Sequence, residues 1–118
     1  MTDVFPLWLG AHLIGDFVLQ DDDMAKLKST NSCACLWHVV NYGIPWSFLL
    51  LFDRIASVAM LAILAQHFVQ DRFALHLHWM RRYGQTPPDQ WPVGPMCVDQ
   101  ALHVAWMALV YQWTSQAN

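Results

Sequence analysis

AHLIGDFVLQ, residues 11–20, places His12 and Asp16 four positions apart in an otherwise apolar run. On a helix, residues i and i+4 lie on one face, so both side chains can reach one point. An apolar helix carries a carboxylate only if something compensates its charge. The same spacing returns in AQHFVQDRF, residues 65–73, with His67 and Asp71. It returns reversed in VDQALHVAW, residues 98–106, with Asp99 and His103. One pair alone reads as a local hydrogen bond in a core. Three pairs in three segments point to one shared site.

Imidazole and carboxylate are an ordinary ligand set for zinc, manganese or iron. A fourth apolar segment, Leu36 to Phe52, adds His38, with Asn41 and Tyr42 one turn on. The candidate metal ligands are therefore His12, Asp16, His38, His67, Asp71, Asp99 and His103. Seven exceed the three protein ligands of a catalytic zinc. They suit two ions, zinc or manganese ahead of iron, about 3.5–4 Å apart and bridged by a carboxylate. Asp16, Asp71 and Asp99 are the candidate catalytic residues, any of which could take the proton of an attacking water.

Outward from these pairs the chain reads as all-α, a four-helix bundle in a single domain over residues 1–118. Pro6 suits a first helical turn, and helix one runs from there to Lys28. Ser29 to Ser32 make a polar link able to cap helix two, Cys33 to Phe52, which Gly43 and Pro45 should bend. Asp53 reads as the cap of helix three, Arg54 to Tyr83. GQTPPDQWPVGP, residues 84–95, is a loop with four prolines. Helix four covers Met96 to Thr114. Asp21, Asp22 and Asp23 read as a solvated helix end. His76 and His78 read as surface or head-group residues near the basic end of helix three. Gln20 and Gln100 are candidates to orient a ligand.

Composition narrows the classes. Of 118 residues, 56% are hydrophobic and 13% charged, about half the usual charged share. Net charge is −3, and the only adjacent basic pair is Arg81–Arg82, so nucleic-acid binding is not expected. Cys33, Cys35 and Cys97 lack the paired spacing of a zinc ribbon and read as small apolar fillers. The N-terminus lacks a basic n-region, so no cleavable signal is expected. The apolar runs approach the ~20 residues of a membrane span, and their polar groups could face one another inside the bilayer. A membrane-embedded bundle is therefore expected, ahead of the alternative of a very apolar soluble bundle. Arg81 and Arg82 would lie on the cytoplasmic side and both termini outside.

HLIGDFVLQ (12–20), MAKLK (24–28), WHVVNY (37–42), HFVQDRF (67–73) and VDQALH (98–103) together resemble the bacterial and phage family called domain of unknown function 3307. The likeness covers most of the chain in the same motif order. The acidic run at 21–23 departs from it. The resemblance implies a small membrane protein, of a bacterial inner membrane, without an assigned activity. A more distant likeness is to membrane-bound metal-dependent hydrolases.

The leading expectation is a metal-dependent hydrolase acting on a phosphoester or lipid-like small molecule. The alternative is a non-enzymatic membrane accessory or interaction protein whose polar core is structural or fixed by metal. A di-iron redox protein is disfavoured because the core acids are all Asp, where such bundles use Glu-x-x-His. Haem ligation does not call for a carboxylate beside each histidine.

Overall fold

The computed structural model describes residues 3–117, whose regular structure is all helical and contains no strand. The helices are α1 (Phe5–Leu13), a π-helical turn (Ile14–Val18), α2 (Asp22–Leu27), α3 (Ser32–Leu51), α4 (Ser57–Arg72), α5 (Leu75–Arg82) and α6 (Gly94–Gln116). The expected four helices are thus six, because the first and third each break.

The first break follows the π-turn. Leu19 N–H donates to the Ile14 carbonyl, five residues back. This widened turn shifts the helical register relative to an α-helix. Gly15 is what the turn needs. A Cβ there would lie 2.6 Å from the Tyr42 ring and 2.9 Å from its carbonyl oxygen. Asp21 then caps α2 by accepting from Met24 N–H at 2.8 Å, with Asp22 and Asp23 in its first turn. The acidic run is thus a helix start, where carboxylates favour the exposed N–H groups.

Asn31 caps α3, accepting from Ala34 N–H at 3.0 Å. Pro45 lies inside α3 and cannot donate to the Asn41 carbonyl. Asp53 does not cap the next helix. It adopts φ 54° and closes α3 as Gly usually does. Asp53 N–H donates to Leu50 and Arg54 N–H to Leu49, the paired bonds of a Schellman ending. Ala56 precedes α4 and gives no side-chain cap. The expected third helix breaks at Ala74, a left-handed residue with φ 47° and ψ 51°.

α1, α3, α4 and α6 pack against one another, and their inner stripes change character along their length. At one end Trp8, Tyr42, Trp46, Ile63, Met107 and Val110 form an apolar core. Trp8 meets Trp46 edge to face at 6.0 Å and donates from its ring nitrogen to the Arg54 carbonyl at 2.9 Å. At the other end the buried residues are His and Asp. The exterior is apolar: Leu61, Leu109 and Phe48 are 67%, 65% and 58% exposed. Cys35 is buried, but Cys33 and Cys97 are exposed, so only one cysteine acts as a core filler.

Gly15→Ala should cost about 1–3 kcal/mol through overpacking against Tyr42. Thermal unfolding of the purified variant measures it, and an unchanged melting temperature would contradict this packing.

Candidate metal centre

Four antiparallel elements bring their polar ends together: the end of α1 with its π-turn, the start of α3, the end of α4 and the start of α6. His12, Asp16, His38, His67, Asp71, Asp99 and His103 are all buried.

Asp16, His38, His67 and Asp71 form the tightest group. His38 Nε2 lies 3.0 Å from His67 Nε2, 3.2 Å from Asp16 Oδ1 and 3.1 Å from Asp71 Oδ2. His67 Nε2 lies 3.5 Å from Asp16 Oδ1 and 3.2 Å from Asp71 Oδ2. A tetrahedron of ligands about 2.0–2.1 Å from zinc has edges of about 3.3–3.4 Å. These five distances fall around that value. Asp16 Oδ1 is also buried without a hydrogen-bond partner, while Asp71 Oδ2 is met by the Lys28 ammonium. The residues present thus fit a divalent ion.

Asp16, Asp99 and His103 make a second group that could hold a metal. His103 Nε2 is 3.2 Å from Asp71 Oδ1 and 3.6 Å from Asp99 Oδ2. Asp71 therefore turns one oxygen to each group, and Asp16 belongs to both. Gln70 fixes Asp99, donating to its carbonyl and to Oδ1, both at 2.9 Å.

His12 stands beside these groups rather than in either. Gln100 Nε2 donates to Asp16 Oδ2 at 2.6 Å, so its Oε1 must accept, here from His12 Nε2–H at 2.7 Å. His12 Nδ1 is then an acceptor for the Tyr42 hydroxyl at 2.9 Å. This one-way chain positions Asp16. The i,i+4 pairing holds Asp71 to His67 and Asp99 to His103, whereas His12 reaches Asp16 through Gln100.

Two residues at the site were not singled out for it in the sequence. Lys28 Nζ lies 3.0 Å from Asp71 Oδ2 and 4.0 Å from Asp16 Oδ1. Burial alone would lower its pKa, but the two carboxylates outweigh that and raise it. His76 Nδ1 lies 3.3 Å from Asp99 Oδ1, and burial lowers its pKa. His76 is no plain surface residue, because the break at Ala74 turns it back. His78 is exposed and meets Arg81 instead. Arg72 ties the end of α4 to the α2–α3 link, donating to Ser32 Oγ and the Ser29 carbonyl, each at 2.9 Å.

A cavity of about 310 Å³ opens onto the centre. The three carboxylates, Lys28 and His76 line it, with Phe17 and Met96 among its apolar walls.

Among the described residues one helix, Ser32–Leu51, is long and apolar enough to cross a membrane. A third of its most apolar window is buried, so most of it faces outward. Phe5–Val18 is apolar but shorter.

In comparison with known proteins, the profile described as "Protein of unknown function (DUF3307)" matches residues 4–118. No curated protein matches, and no solved structure matches. The likeness to membrane-bound metal-dependent hydrolases gains no support from these comparisons.

His67→Ala should lower bound metal by removing one of the four converging atoms, and Asp99→Asn should lower it at the second group. Both should also lose stability, since uncompensated carboxylates remain. His78→Ala should leave metal content unchanged. Elemental analysis with melting curves tests this, and full metal in both core variants would exclude them as ligands.

Proposed function

Because the chain belongs to the DUF3307 family of unknown function, membership brings no activity with it, and we propose from the site that it is a metal-dependent hydrolase. The observation that carries this reading is the buried set of two imidazole nitrogens and two carboxylate oxygens, all within 4.8 Å of one another and with five of their separations at 3.0–3.5 Å. The shared carboxylates of Asp16 and Asp71 favour two ions over one. Zinc or manganese suits the donors best, since nitrogen and oxygen are both present and thiolate is not.

Bound divalent ions would polarise a phosphoryl or acyl oxygen and make water a usable nucleophile near neutral pH. The protein's part is positional. His38 and His67 fix one side of the centre and His103 the other. The Tyr42–His12–Gln100 chain holds Asp16 Oδ2, leaving Oδ1 for the centre. Asp99 lines the cavity and stands outside the Asp16–His38–His67–Asp71 group, so it is the carboxylate best placed to accept the proton of an attacking water. His76, 3.3 Å from Asp99, can pass that proton outward.

The surroundings support a membrane-embedded protein. Many large apolar side chains are exposed, and ionisable residues fill one end of the interior, as in proteins that hold polar groups inside a bilayer. α1, α3, α4 and α6 would lie in the apolar phase, and α2 and α5 at its surface. The substrate would be a phosphoester or lipid-like molecule reaching the cavity there.

A second reading has one observation in its favour. Lys28 already compensates part of the charge of Asp71 and Asp16, as a structural polar core needs. An accessory protein without metal would follow.

Protein purified without added metal should contain about two equivalents of zinc or manganese, and should cleave a chromogenic phosphoester with activity that a chelator removes and the metal restores. Metal-free protein that binds no added zinc would favour the accessory reading. Separately, the protein should leave the membrane fraction only with detergent. Monodisperse protein without detergent would refute embedding and leave the metal centre untouched.

A further inference from the structure

The cavity above the centre carries charges the ligand set does not explain. Three buried carboxylates face one ammonium, leaving two negative charges uncompensated if the histidines are neutral. Two divalent ions would reverse this to two positive charges. A site walled by apolar side chains does not hold such an excess cheaply. A dianion entering the cavity would cancel it.

Lys28 is the group placed to meet that dianion. Its side chain is 17% exposed, and it lines the cavity. Its partners Asp71 and Asp16 are the same carboxylates the ions would occupy, which frees the ammonium for another anion. Gln20 adds an amide to the cavity wall whose Oε1 is buried without a partner. Phe17 and Met96, 46% and 49% exposed, line the cavity and also face out of the molecule. The route from the charged floor to the apolar exterior is therefore itself apolar.

We propose that this cavity is the seat of a phosphate monoester dianion on an apolar tail, with Lys28 anchoring the phosphate and Phe17 and Met96 bordering the tail. The proposal rests on the metal-centre reading above and adds the substrate's class. A carboxylic ester would bring no charge for Lys28 to meet. A small polar phosphate would leave the apolar walls without a role.

The test uses the full-length, zinc-loaded protein in detergent and calorimetric binding of inorganic phosphate, methyl phosphate and butyl phosphate. Lys28→Gln should weaken inorganic phosphate about 10–100-fold at unchanged zinc content, the usual worth of a charged hydrogen bond, and Lys28→Arg should restore most of it. Butyl phosphate should bind about tenfold or more tighter than methyl phosphate, given its three extra methylenes. Phe17→Ala should erase much of that preference while leaving inorganic phosphate unaffected, and this variant carries the test if Lys28→Gln fails to fold. Phosphate affinity indifferent to Lys28, or equal binding of the two esters, would overturn the proposal. Tight butyl phosphate binding without turnover of any phosphoester would instead defeat the hydrolase and leave the binding site standing.

Discussion

Three carboxylates held inside an apolar shell set the terms for everything else in this molecule. Asp16, Asp71 and Asp99 are nearly inaccessible to water, and none can stay charged there without a partner. The histidines, the glutamines and Lys28 are arranged around that need. Gln70 and Gln100 each spend donors on a carboxylate oxygen. Lys28 comes from outside α1, α3, α4 and α6, and the link that carries it is tied down by Arg72. The polar half of the interior is in this sense one electrostatic unit, with the apolar half below it holding the helices in place.

The two halves share the same spacing. On α3, His38 is followed at four-residue steps by Tyr42 and Trp46. On α4, reading backwards from Asp71, come His67, Ile63 and Ala59. On α6, Asp99 is followed by His103, Met107 and, at a step of three, Val110. Each inner stripe therefore passes from charge to aromatic or aliphatic without leaving its face. Helices that run in alternate directions present matching ends, and so the polar residues meet at one level.

That pattern is why much of the fold and site could be read in advance. His67 with Asp71 and Asp99 with His103 lie on unbroken helices, and their convergence follows from periodicity. His38 was found by its isolation in an apolar run. What escaped depended on breaks in the helices. On a continuous third helix, His76 would lie about half a turn round from His67 and about 14 Å along the axis. The left-handed Ala74 cancels that displacement, and nothing about alanine announces such a conformation. Asp53 misled in the same way, since an aspartate before a helix ordinarily reads as its cap. Lys28 was hidden because its partners are distant in sequence and its reach depends on the turn at residues 19–21. His12 shares the spacing of the ligand pairs, but Tyr42 and Gln100 take both its ring nitrogens, which the spacing does not reveal.

The N-terminal segment has two partners to satisfy at once. Trp8 must face Trp46, and Asp16, within the π-turn, must face His38 and His67. The two residues are eight apart, the spacing that also joins His38 to Trp46 on α3, so each fixes the register of the other. Deleting any one residue between Leu13 and Val18 would turn one end by about 100° relative to the other: either the aromatic anchor or the carboxylate would point away. The N-terminal segment thus behaves like a key cut on two sides, where length in residues matters more than the identity of most of them.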